Sequence, residues 1–214
     1  MMKKSQNNYL LKKRQVVLNF AKEFVSENGL TKNCLENISK KYGLNTDETD
    51  LLFPQGNIDL IKFALEQLNN DLEVYCRQID LIRLPIHKRI RKVLLSKISL
   101  MNKDKPFYRS IFLNLLIPKK NFSLSSQLYN SVDQIWFIAG DSSTDFNFYT
   151  KRLILSGIYS RVILFFFNNN NQEELENILD ESLKRVSKIP EIKSKLKIFK
   201  DFLPKIANFV KNSY

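Results

Sequence analysis

The spacing of apolar residues along the chain is helical almost throughout. Between Tyr9 and Gly29, the residues Leu10, Val17, Phe20, Ala21 and Phe24 fall near one face, and Gly29 supplies a stop. A second segment opens at Thr31, a candidate N-cap, and stops at Gly43. A short third begins at Asn45 or Thr46 and ends at Phe53, because a residue before proline avoids helical geometry. Residues 56–79 make a long fourth. Amphipathic segments follow at 86–102, 106–117, 123–139 and 143–167, broken around Pro106, at Pro118 and at Gly140. An asparagine loop at 168–171 leads into a helix with Gln172 to Glu174 in its first turn and Lys184 to Lys188 in its last, as the helix dipole favours. A final segment follows Pro190. The pattern predicts an all-α protein of about ten helices with no internal repeat. Its expected parts are residues 1–56, 57–189 and 190–214.

Two stretches carry more than a core stripe. Around Gly140, Val132, Ile135, Trp136 and Ala139 form one stripe before the stop. Ser142 or Ser143 can cap the next helix, with Asp145 in its first turn. Phe146, Tyr149, Leu153, Ile158 and Val162 continue the apolar side, and Ser156-Gly157 would allow another helix to approach closely. In the tail, Ile192, Leu196, Phe199, Phe202, Leu203, Ile206, Phe209 and Val210 share a stripe at about 100° per residue. Lys193, Lys197, Lys200 and Lys211 lie opposite. That is the pattern of a helix lying in a membrane interface, kinked or restarted at Pro204. A terminal helix packed on its own core is the other reading.

Composition narrows the chemistry. A hydrophobic share of 43% supports a real core, and 5 glycines and 6 prolines are few for a β-rich fold. The net charge of +12 favours nucleic acid or an anionic membrane as partner without choosing between them. Richness in Lys, Asn and Ile also fits a genomic base-composition bias. No apolar run reaches the roughly 20 residues of a membrane span. The basic N-terminus lacks the apolar core of a secretory signal. Cys34 and Cys76 are too few for a disulfide framework or a zinc site, and a reducing intracellular compartment fits them. His87 reads as a surface residue. No metal-ligand spacing and no nucleophile–base constellation is present, so no metal, no cofactor and no catalytic residue is expected. Asp141 and Asp145 could do acid–base work, but capping and junction roles account for them without a substrate. Lys151 and Arg152 read as ion-pair partners of such acids.

The first three helices, a Gly43 turn, Phe53-Pro54-Gln55-Gly56 and a long helix resemble the N-terminal helix-turn-helix of TetR-type repressors. In such modules the third helix enters the major groove. Here it reads Asn45-Thr46-Asp47-Glu48-Thr49-Asp50. Three carboxylates would face a polyanion, which argues against nucleic acid as a partner. A TetR-type DNA-binding transcriptional regulator remains the alternative function.

The run from Trp136 to Arg152, with Ala139-Gly140-Asp141, Ser143-Thr144-Asp145-Phe146-Asn147 and Tyr149-Thr150-Lys151-Arg152, resembles the signature of the coenzyme Q biosynthesis protein nine family. Ile158-Tyr159, the Phe53–Gly56 turn and Leu115–Pro118 are similar to further elements of it. The resemblance implies a TetR-like, non-catalytic lipid-binding accessory protein of ubiquinone biosynthesis. Such a protein binds isoprenoid quinone intermediates or phospholipid at a membrane surface. It presents the intermediate to the di-iron demethoxyubiquinone hydroxylase, with Asp133, Trp136 and Phe137 matching the partner-binding residues. For Trp136, core and contact readings both stand. It implies membrane association through the tail and a homodimer through the eighth and ninth helices, where the run from Ile163 to Phe167 looks hard to bury in one subunit. The expected lipid cavity draws on Phe63, Phe107, Ile111, Leu115 and Leu116. Phe137 and Phe148 keep the rings of the family's aromatics and lose a polar handle. The lack of a presequence leads to the expectation of a bacterial cytoplasmic protein, peripheral to the inner membrane.

Overall fold

The computed structural model describes residues 2–116, 122–141 and 146–187, with side chains for 8–115, 126–141 and 148–184. The described residues form nine helices and no strand: α1 (Met2–Asn28), α2 (Cys34–Tyr42), α3 (Thr46–Leu52), α4 (Asn57–Arg77), α5 (Ile86–Asn102), α6 (Lys105–Leu116), α7 (Phe122–Ile138), α8 (Phe146–Asn168) and α9 (Gln172–Ser187). The all-α expectation holds, and a TetR-like arrangement fits this order. The expected tenth helix and its stripe, Ile192, Leu196, Phe199, Phe202, Leu203, Ile206, Phe209 and Val210, lie outside the described residues.

Local chemistry sets most of the boundaries. Gly29 and Gly43 adopt positive φ of 71° and 65°, the left-handed geometry that ends α1 and α2. The α3 cap is Asn45, whose side chain accepts from the Glu48 N–H at 3.1 Å. The α2 cap falls on Asn33 rather than Thr31, and its side chain makes no capping bond. α1 begins well before Tyr9, because Lys and Gln sustain a helix without an apolar stripe.

The described residues up to 170 form one compact unit, and α9 belongs to a second. In the first unit α1 packs on α2, α3 and α6. α4 lies along α5 and α7, and α7 along α6 and α8. Leu68, Leu72, Val93, Leu94, Val132, Ile135, Tyr159 and Val162 are all buried. Ser39 Oγ donates to Thr49 Oγ1 at 3.1 Å and locks α2 on α3. α9, described by itself, starts on Asn171, whose side chain accepts from the Glu174 N–H at 3.1 Å.

One charge-bearing side chain sits in the middle of this core. Lys97 is fully buried on α5. Its Nζ donates to Asn69 Oδ1 of α4 at 2.8 Å and lies 5.4 Å from the centre of the Tyr159 ring of α8. Burial pushes its pKa down from 10.5 to about 7. Burial also pushes the Tyr159 phenol well above its ordinary range. Among the described residues the buried hydroxyls of Tyr159 and Ser131 have no hydrogen-bond partner.

The lysine makes stability depend on pH with a definite sign. Between pH 7 and 10.5 the unfolded chain holds a proton that the folded chain releases, so stability rises with pH across that window. Below pH 7 the full penalty is present, on the order of 5 kcal/mol at 1.4 kcal/mol per pKa unit. Lys97→Met should raise the melting temperature by about 5 °C or more at pH 6 and by much less near pH 10. Thermal unfolding at both values checks it; an equal shift at both would refute the buried amine's control.

Candidate functional site

The most densely bonded region of the described chain is the corner where α7 gives way to α8. Gly140 ends α7 at a φ of 85°, a conformation that favours glycine. The Asp141 N–H then donates back to the Trp136 carbonyl at 3.0 Å. This turns the Asp141 side chain towards the start of α8. Its Oδ1 accepts from Lys151 Nζ at 2.7 Å and its Oδ2 from Arg152 Nη1 at 3.2 Å. Arg152 Nε reaches Asp133 Oδ1 on α7 at 2.5 Å, and Nη1 also donates to the Phe148 carbonyl at 3.2 Å. The guanidinium carbon lies 3.3 Å from the centre of the Phe148 ring. Trp136 Nε1 donates to the Lys151 carbonyl at 3.2 Å, tying the indole to α8.

Among the described residues the corner is thus a connected ion-pair network. The side chains of Arg152 and Asp141 are 4% and 6% exposed, so each has exchanged water for the other's charge. Asp141 is the junction residue expected for it, and Lys151 and Arg152 are its ion-pair partners. Asp145 lies outside the described residues. Among the described residues no group of three His, Cys, Asp or Glu side chains is placed to hold a metal ion.

Sequence did not single out the residue that holds this corner to the rest of the bundle. Arg89 of α5 donates through Nε to the Leu84 carbonyl at 2.7 Å and through Nη2 to the Ile82 carbonyl at 2.8 Å. Its Nη1 donates to Ala139 O at 3.2 Å. One guanidinium pins the α4–α5 loop to the end of α7. A Cβ on Gly140 would come within 2.9 Å of Arg89 Nη1, a second reason for glycine there.

The three expected partner residues are placed differently. Phe137 is 67% exposed and Trp136 is 6% exposed. Asp133 is half-exposed and held by Arg152. The indole therefore faces the interior and is tied to Lys151, while the ring that follows it faces water. Of the expected cavity residues, Phe63, Phe107, Ile111 and Leu115 are buried, while the side chain of Leu116 lies outside the description. Phe63 meets Phe53 edge-on and the Arg14 guanidinium over its face, near the first three helices. Phe112, which the sequence reading left out, meets Tyr159 and Phe167 of α8.

Two expectations about α8 need correction. Ile163, Phe166 and Phe167 are buried within the single chain, so most of the run from Ile163 to Phe167 is covered without a partner, and Leu164 is its exposed member. A side chain at Gly157 would meet nothing within 4 Å among the described residues, so no helix approaches closely there.

Comparison with known proteins follows this geometry. The COQ9 family model matches residues 123–190, from the start of α7 through the corner and α8 to the end of α9. Rat "Ubiquinone biosynthesis protein COQ9, mitochondrial" is 27% identical over 67% of this chain and 48% of its own length. The bovine protein of the same name is 24% identical over 83% and 60%. Fission yeast "Ubiquinone biosynthesis protein coq9, mitochondrial" is 29% identical over 72% and 60%. The chain spans about half to three fifths of the length of these relatives. Each relative is mitochondrial by name, which overturns the expectation of a bacterial cytoplasmic protein peripheral to the inner membrane. That expectation rested on where the chain begins, which carries no message in a chain shorter than its relatives.

The network's value can be measured as a coupling. Arg152→Met strands the buried Asp141 with one partner fewer and should cost about 3 kcal/mol in urea unfolding. Asp141→Asn should also destabilise. The double variant should cost clearly less than the sum, because each single change leaves the other charge buried and underpaired. Strictly additive losses would mean that the two side chains do not act as a unit.

Proposed function

Because the chain belongs to the COQ9 family, we propose that it is a non-catalytic accessory protein of ubiquinone biosynthesis that binds isoprenoid quinone intermediates or phospholipid and presents them to a hydroxylase. The observation that carries this reading is the corner itself. The family-matched segment centres on acids and bases that are spent on one another, which supports a framework role rather than acid–base chemistry. Such a corner holds α7 in place and with it the exposed Phe137.

The lipid would enter the core bounded by α4 to α8. Phe63, Phe107, Ile111, Leu115 and Leu116 remain its proposed apolar lining. Among the described residues the hydroxyls of Tyr159 and Ser131 lack a partner and, with the buried Lys97 amine, offer a few polar contacts inside a mostly apolar interior, the usual composition of such pockets. Asp133, Trp136 and Phe137 form the proposed docking surface for the di-iron demethoxyubiquinone hydroxylase, with Phe137 making the contact and Trp136 supporting it. The homodimer is proposed along α8, whose exposed side carries Leu153, Gly157 and Leu164. The open space beyond Gly157 would admit a second subunit.

Exposed acids weigh against the DNA-binding alternative. Asp47 and Asp50 of α3 are exposed, and Glu48 is paired with Lys13. A gel-shift with genomic fragments should show no complex.

Native extraction of the purified full chain, followed by mass spectrometry, should recover a quinone precursor or phospholipid at near-stoichiometric yield. A chain that carries no lipid and takes none up from vesicles would overturn the reading.

The tail supplies a second test. Phe199→Glu with Phe202→Glu should abolish pelleting with vesicles of any composition. Lys197→Glu with Lys200→Glu should weaken pelleting only on anionic vesicles, at about 1 kcal/mol per lysine, and added salt should mimic the loss. Both should leave the melting temperature unchanged. Unfolding of the phenylalanine variant with membrane binding intact would make the tail a core helix.

A further inference from the structure

The loop between α4 and α5 is a rigid, exposed tip. The Leu84 N–H donates to the Leu81 carbonyl at 3.0 Å and closes a turn with Ile82 and Arg83 at its corner. Leu81 is buried and anchors the turn, while Ile82 is 84% exposed. The exposure is not a product of slack chain. Arg89 holds the carbonyls of Ile82 and Leu84 and ties both to Ala139, just past the end of α7. Ile86, the first residue of α5, and Tyr75, at the end of α4, are also exposed at this end of the hairpin.

The surroundings of the tip are basic. Between residues 77 and 92 six bases stand against one acid, Asp80. Asp80 spends its charge on Arg83 at 3.1 Å, an exposed pair that holds little energy. Lys88 and Lys92 are exposed on the first two turns of α5. At a rise of about 1.5 Å per residue they stand within roughly 10 Å of the tip end of the helix. That is about one Debye length in physiological salt, close enough to feel a charged surface against which the tip rests. An aliphatic side chain held out into water by a fixed turn is unfavourable in isolation. Burying it beneath a plane of anionic headgroups removes that cost and leaves the cations at headgroup level.

We propose that the Ile82 turn is a membrane-docking tip, in which Ile82 enters the interface of an anionic bilayer while Lys88 and Lys92 meet its phosphates. It rests on the reading that this chain works at a membrane, and adds a second contact, at the end of the bundle where α7 exposes Phe137. With the Ile82 turn on the surface, that end faces the bilayer. Contact there does not require the tail to bind.

The test is local, because the tail would contribute to any bulk binding measurement. Cys34 and Cys76 are buried, so an Ile82→Cys variant of the full chain can be labelled selectively with an environment-sensitive fluorophore. Vesicles of phosphatidylcholine with about 30% phosphatidylglycerol should shift its emission to the blue and protect it from iodide, taking anionic lipid as the partner. Phosphatidylcholine alone, or the anionic vesicles in high salt, should do neither. Ile82→Ser without a label should weaken pelleting on the anionic vesicles by about threefold to tenfold, and Ile82→Trp should restore or strengthen it. Lys88→Glu with Lys92→Glu should weaken it by about tenfold or more. Circular dichroism melts should match the parent in every case, since none of these side chains is buried.

A label that stays in water while the chain pellets would overturn the tip and leave the tail as the membrane contact. Failure of the chain to pellet on any vesicle would overturn both. Unchanged pelleting of Ile82→Ser would also overturn the proposal and mark the tip as a surface for a protein.

Discussion

Everything about the α7–α8 corner depends on one constraint: a charge removed from water must be met by another. Asp141 and Arg152 are both withdrawn from solvent, and neither could be there alone. Once they are paired, the geometry of their neighbours is largely set. Arg152 must reach Asp133 on α7, so the two helices are held at a defined separation. Asp141 must face α8, so the chain needs the left-handed turn that Gly140 supplies. Trp136 fills the angle between them and spends its N–H on the Lys151 carbonyl. Arg89 then carries the constraint to α5 by donating to the carbonyls of Ile82, Leu84 and Ala139. Two arginines thus join three helices and one loop.

The same constraint explains what was legible beforehand and what was not. Helices were readable because apolar spacing and left-handed glycines act locally: Gly29, Gly43 and Gly140 mark ends that a sequence shows directly. Asp141, Lys151 and Arg152 were readable as a junction because opposite charges lie a few turns apart on either side of a stop. Arg89 was not, because it sits in a run of bases, and nothing distinguishes the one that turns inward. The pairing of Asp133 with Arg152 spans the corner, so its distance depends on how the corner folds. The run from Ile163 to Phe167 misled because consecutive apolar residues point all round a helix. Such a run looks too rich for one face until neighbours cover more than one side.

Lys97 is a different kind of omission, because its signal was present. It stands four residues after Val93 and four before Met101, in the middle of the stripe that α5 buries. A stripe interrupted by one lysine is commonly read as tolerance at an edge, since the long stem can carry its amine back to water. Here Asn69 holds the amine inside, beside the face of Tyr159. A neutral amine can stay there at little cost, whereas a protonated one lacks an acidic partner among its identified contacts.

Polarity is therefore distributed unevenly between the corner and the core. At the corner, buried charges are matched, and the result is fixed geometry. In the core, Lys97 has a single identified hydrogen-bond partner, and the Tyr159 and Ser131 hydroxyls have none among the described residues. Each unsatisfied hydroxyl costs about 1–3 kcal/mol, which a domain of ordinary stability does not carry without consequence. The matched corner ties α7 to α8 through its own ion pairs, in addition to the packing between the two helices. Under the proposed function, that separation of frame from interior is what would let the core take in a guest while the corner stays fixed.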